Sequence, residues 1–147
     1  MIKDELVGSW RLVQSVFRDT SRRSLESDPL AGSTGVITYS SDMRMSVQVM
    51  TESYAGLFSQ EVSEPPVREV MNGYHAYCGT YSVDEEKRVV MHHVEMSNHS
   101  HMIGNSYERT VTFFTDGRMS LENVSPENIL GDGDVHHEII WERISPC

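Results

Sequence analysis

The chain has 147 residues, enough for one domain (1–147) with a buried core. Its 22 acidic and 12 basic side chains leave a formal net charge of −10, which excludes a phosphate-tracking nucleic-acid binder, since such a surface must be basic. No apolar stretch approaches the ~18 residues that cross a bilayer, and Lys3, Asp4 and Glu5 stand where a secretory signal would be apolar. The expectation is a soluble cytoplasmic protein without nucleic-acid or membrane partners. A homodimer is an open alternative to a monomer.

The first expected strand is Ser9–Phe17, rich in branched and aromatic residues, followed by a polar loop, Arg18–Ser33. Gly35–Tyr39 and Met43–Met50 flank the turn cluster Ser40-Ser41-Asp42 and read as a hairpin. Pro65-Pro66 opens a short helix, Pro65 to Asn72, with Val67, Val70 and Met71 on one face and Asn72-Gly73 as its stop. Strands resume at Ala76–Val83 and Arg88–Met96 around the charged turn Asp84–Lys87. Tyr107–Phe114 and Arg118–Val124 flank Thr115-Asp116-Gly117, a strong hairpin signal. The loop Gly131-Asp132-Gly133-Asp134 precedes the last strand, Val135–Ile144. Eight short strands and one helix predict an all-β fold, either a sandwich or a closed barrel. A barrel of that size encloses side chains or one small ligand.

Gly8-Ser9-Trp10 is a Gly-x-Trp triplet on the first strand, and Trp141-Glu142-Arg143 lies near the end. Between them come Gly35–Tyr39, Arg44–Gln48, Tyr77-Cys78-Gly79-Thr80-Tyr81, His92-His93-Val94-Glu95 and Arg109. From Leu6 to Arg143 the series resembles the small lipocalin-like domain family of bacteria and fungi. The resemblance implies an antiparallel β-barrel with a ligand-sized interior, among relatives that include biosynthetic cyclases and isomerases. His-rich Ser97–His101 departs from similar sequences, which carry Pro and Trp there. Closure pairs the first and last strands, so Trp10 and Arg143 are expected to meet as guanidinium over indole.

Seven histidines are the main compositional hint of chemistry. His92 and His93 face opposite ways on one strand: His92 with Val90, Val94 and Met96, His93 with Met91 and Glu95. The first set reads as the barrel interior, so His92 is the expected catalytic imidazole; a core histidine without a reaction is the competing reading. Tyr77 and Tyr81 share a face and offer phenolic donors. Arg109 shares a face with Tyr107, Val111 and Phe113. Pointing inward, it needs Glu95, Glu122 or an anionic ligand as partner. The alternative is a surface arginine beside Glu108. Catalytic roles are thus expected for His92, Tyr77 and Arg109, and ligand contacts for Gln48, Tyr39, Tyr81, His93, Glu95, Met50, Met96 and Phe113. Gln48 reads equally as solvent-facing. Nine methionines suit an adaptable apolar pocket and an ordinary core alike.

Cys78 and Cys147 offer no disulfide framework. No glycine-rich phosphate loop appears, so no cofactor is expected. His99-x-His101 is a chelating pair without the glycine framing and following glutamate of a cupin, and no metal is expected. The leading expectation is a cofactor-free isomerase or cyclase acting on an apolar polyketide- or terpenoid-type molecule. The alternatives are a non-catalytic carrier of a small hydrophobic ligand and a metal-dependent enzyme.

Overall fold

A computed structural model describes residues 1–26, 28–57, 66–127 and 133–144. Pro65, Cys147 and the Gly131-Asp132 half of the acidic loop lie outside the described residues. The described residues form eight strands: β1 Gly8–Arg18, β2 Thr34–Tyr39, β3 Arg44–Met50, β4 Tyr74–Asp84, β5 Val89–Ser97, β6 Ser106–Phe113, β7 Arg118–Asn123 and β8 His136–Arg143. They form one closed barrel in chain order, each antiparallel to its neighbours. β8 closes on β1 from Trp10↔Arg143 to Arg18↔His136. Closure settles the choice between sandwich and barrel and removes the sheet's edges.

Period-two alternation sets the interior. Ile37 and Tyr39 of β2, Met45, Val47 and Val49 of β3, Val90, His92 and Val94 of β5, and Met119 and Leu121 of β7 are all buried. The register shifts twice, on β1 between Leu12 and Gln14 opposite β8, and between β4 and β5. Gly79 pairs with Val94 but Cys78 pairs with Met96, leaving Glu95 unmatched as a bulge.

One end of the barrel is sealed by a helix that the sequence pattern did not reveal. Helix α1, Ile2–Leu6, buries Ile2 and Leu6 against the core. Its backbone nitrogens at Ile2 and Lys3 donate to the Glu85 carboxylate at 2.9 and 3.0 Å. Trp10 donates its indole N–H to the Leu6 carbonyl at 2.9 Å. The Arg143 guanidinium lies 4.1 Å from the Trp10 ring, as the Gly-x-Trp and terminal arginine lead one to expect. It also donates to the carbonyls of Val7, at 2.8 Å, and Glu5. Gly8 is required beneath it: its φ is +133°, and a β-carbon there would sit 2.6 Å from the Arg143 nitrogen. Arg143→Lys keeps the charge but loses the planar stack and the forked donation. A loss of about 1–2 kcal/mol is expected in a urea melt; an unchanged midpoint would show that the seal contributes nothing.

Helix α2, Val67–Gly73, lies against β4 near the opposite end. Val67 is exposed rather than on a packed face. The barrel is plugged by α1, while α2 contributes Asn72 to the rim of the open end. Among the described residues no helix is long and apolar enough to cross a membrane.

Candidate functional site

Between the sealed end and the rim lies a cavity of about 500 Å³, a size that suits a small organic ligand. Its wall is mostly apolar: Phe17, Leu30, Ile37, Val47, Val49, Leu121, Ile139 and Trp141. The polar lining consists of Asn72, His75, Tyr77, His92, Arg109 and His137. Among the described lining residues Arg109 is the one permanent charge, and none is acidic.

His92 is the centre of the polar wall. It points inward because it alternates with Val90 and Val94, and it is 1 % exposed. Both ring nitrogens are engaged by phenols: Tyr39 Oη lies 2.6 Å from Nε2 and Tyr77 Oη lies 2.7 Å from Nδ1. Burial, helped by the nearby Arg109 charge and by His93, pushes the imidazole pKa down to about 3, so it is neutral in the folded protein at physiological pH. A neutral imidazole has one donor and one acceptor nitrogen, so one phenol donates and the other accepts. Tyr39 is buried behind His92, with Tyr81 edge-on at 4.9 Å, and His92 is its hydrogen-bond partner among the described residues. Its O–H therefore donates to Nε2, since the reverse tautomer would bury that proton without an acceptor. Nδ1–H then donates to the Tyr77 oxygen. The Tyr77 proton is left over, on a residue that lines the cavity. Burial pushes Tyr77 up to about 12 despite Arg109, so it is a neutral donor.

Arg109 enters from β6. Its Nη1 lies 2.9 Å from the Glu108 carbonyl and 3.6 Å from Glu127, with the guanidinium 5.7 Å from the Tyr107 ring. Neither expected acidic partner is used. Glu95 sits on the outer wall, 2.7 Å from Arg44, and Glu122 pairs with Arg18 and Arg22.

Other expected contacts are displaced for identifiable reasons. Gln48 and Met50 fall on the outside of β3, because Met45, Val47 and Val49 take the inside. His93 also faces outward, between the hydroxyls of Ser82 and Ser106 at 2.9 and 2.7 Å. Met96 was expected beside His92; the bulge at Glu95 shifts the alternation by one and leaves it 61 % exposed. Tyr39, Tyr81 and Phe113 point inward but pack beneath the cavity in the sealed half, Phe113 against Trp10 at 6.3 Å. No methionine is among the described lining residues; Met45 and Met119 fill the core instead.

His137 and Trp141 of β8 also line the cavity, although neither was among the expected site residues. His137 stacks on Phe17 with ring centroids 3.9 Å apart and makes a 2.9 Å contact with Ser15 Oγ. Burial, then Arg109, lowers its pKa to about 4. Trp141 is buried, and its indole nitrogen has no hydrogen-bond partner among the described residues. The alternation of His137, Ile139 and Trp141 was the available signal. At the rim His75 Nδ1 and His99 Nε2 are 2.8 Å apart, while His75 Nε2–H donates to the Asn72 carbonyl at 3.0 Å. Burial and the adjacent His99 both lower the His75 pKa. His101 stands 5.9 Å from His99, ring to ring. Among the described residues no three His, Cys, Asp or Glu side chains are grouped to hold a metal ion.

Residues 7–144 match the family model of a lipocalin-like domain. The chain belongs to the lipocalin-like domain family. No curated protein matches it. Membership accounts for the closed eight-stranded barrel and its hollow interior. Such lipocalin-like barrels can bind small hydrophobic molecules.

Proposed function

We propose that this lipocalin-like barrel is a cofactor-free isomerase or cyclase for an apolar, carbonyl-bearing molecule of the polyketide or terpenoid type. The observation that carries this reading is the Tyr39–His92–Tyr77 chain of hydrogen bonds. Burying three polar groups in an apolar wall costs stability unless every one is satisfied. Here the satisfaction leaves one proton over, at the cavity surface. The apolar wall folds the substrate into a reactive shape, and orientation supplies much of the acceleration. Tyr77 donates to the carbonyl oxygen as negative charge develops, and Arg109 adds its field. His92 donates Nδ1–H to the Tyr77 oxygen, which holds Tyr77 in place and leaves its O–H for the carbonyl. It works as a neutral relay, because a pKa of about 3 rules out a resting imidazolium. His137, the second neutral imidazole, is the group that takes a proton from the carbon next to the carbonyl and returns it to another carbon.

Deuterium uptake from heavy water into an apolar ketone such as 2-undecanone, followed by mass spectrometry, tests this. Protein-accelerated exchange is expected, falling roughly a hundredfold in Tyr77→Phe while the ketone still binds. The wholly apolar remainder of the wall favours a second reading, a carrier. Binding with no exchange above background would establish that reading and remove the enzyme.

A further inference from the structure

The cavity is supplied with donors, and none of its described lining residues is an acid. Arg109 spends Nη1 on Glu108 and Glu127, while its Nε and Nη2 have no acceptor among the described residues. Tyr77 keeps a free O–H once the tautomer of His92 is assigned. The Trp141 indole N–H, in the same wall, has no acceptor among the described residues either. No described lining residue is acidic. Glu127 touches Arg109 from a position 43 % exposed, where solvent weakens the pair. A cation held over an apolar cavity with two unspent nitrogens is costly until an acceptor arrives. The chain's net charge of −10 makes this inward cation a local reversal of the surface field.

We infer that the molecule bound in this cavity is an apolar acid, its carboxylate or ionised enol received by Arg109 and the Tyr77 hydroxyl. The inference rests on the cavity being the ligand site, as proposed above, but not on any reaction occurring there. The guanidinium offers a carboxylate two parallel N–H donors. The phenol adds a third, and the hydrocarbon part of the ligand replaces water along Leu121, Ile139 and Val47.

Displacement of the neutral fluorophore N-phenyl-1-naphthylamine from the full chain, by dodecanoate, methyl dodecanoate and dodecylamine, tests the inference. Dodecanoate is expected to bind at least about tenfold more tightly than its ester, with the amine weakest. Arg109→Gln should weaken dodecanoate at least about tenfold and so abolish the preference for the acid over the ester. Glu127→Gln, at a half-exposed position that competes for the guanidinium, should tighten dodecanoate severalfold. Equal binding of acid and ester by the natural chain overturns the inference, as does an acid preference that survives Arg109→Gln. Ketone exchange without acid preference would sink this inference alone. Acid preference without exchange would support it and sink only the enzyme.

Discussion

Gly79→Ala is expected to prevent stable folding. A β-carbon at this position would be driven far inside contact with the His93 carbonyl oxygen and to 3.0 Å from the Glu95 nitrogen. Both atoms belong to the backbone of β5, so no side-chain rotation relieves the overlap. Either β4 and β5 separate, breaking the ladder on both sides of the bulge, or the bulge is lost and β5 slips by one residue. A slip would exchange His92 for a neighbour in the interior. The expected cost exceeds about 4 kcal/mol, a large part of a domain's usual 5–15. Gly117→Ala is the control: its φ of +87° carries strain, but nothing lies within 4 Å, so about 1 kcal/mol is expected. Soluble Gly79→Ala protein melting in urea near the natural midpoint would show that the strands do not approach so closely.

Acid is expected to weaken the fold well before the carboxylates titrate in full. In the unfolded chain an imidazole takes up its proton near pH 6.5. In the folded barrel His92 resists until about 3 and His137 until about 4. Between these limits the unfolded state binds more protons, so stability falls as pH falls, by about 1.4 kcal/mol per unit for each histidine. From neutrality to pH 5 the two together remove roughly 4 kcal/mol. Urea melts at pH 7.5, 6 and 5 measure the slope. His137→Phe retains the stack on Phe17 and should remove about half of it. Stability that is flat down to pH 5 would mean that neither imidazole is held neutral by burial.

The strands were legible because nearly all of them alternate apolar and polar residues between strong turn signals, as at Asp84–Lys87 and Thr115-Asp116-Gly117. The seal of Trp10 by Arg143 was legible because closure must bring first and last strands together. Helix α1 was not, since five residues do not establish a 3.6-residue period. Within the site, Val90 and Val94 announced the inward face of His92, whereas Glu95 and Met96 were misplaced by a bulge. A glycine inside a strand is the sign of such a bulge, and Gly79 stood directly across from it. Gln48 and Met50 are a different case. Met45, Val47 and Val49 already defined the inner row, and a one-residue choice of face decided against it. What no pattern discloses is the meeting of Tyr39 with His92 across 53 positions of chain, because it depends on how far round the barrel each strand comes to rest.

β8 both fastens to β1 and carries His137, Ile139 and Trp141. During synthesis on the ribosome, therefore, seven strands emerge with their greasy inner rows uncovered and no eighth to roll them shut. The interval before that strand leaves the exit tunnel is when a chaperone matters most. A frameshift or premature stop ahead of it would yield not a weaker container but an open, sticky sheet.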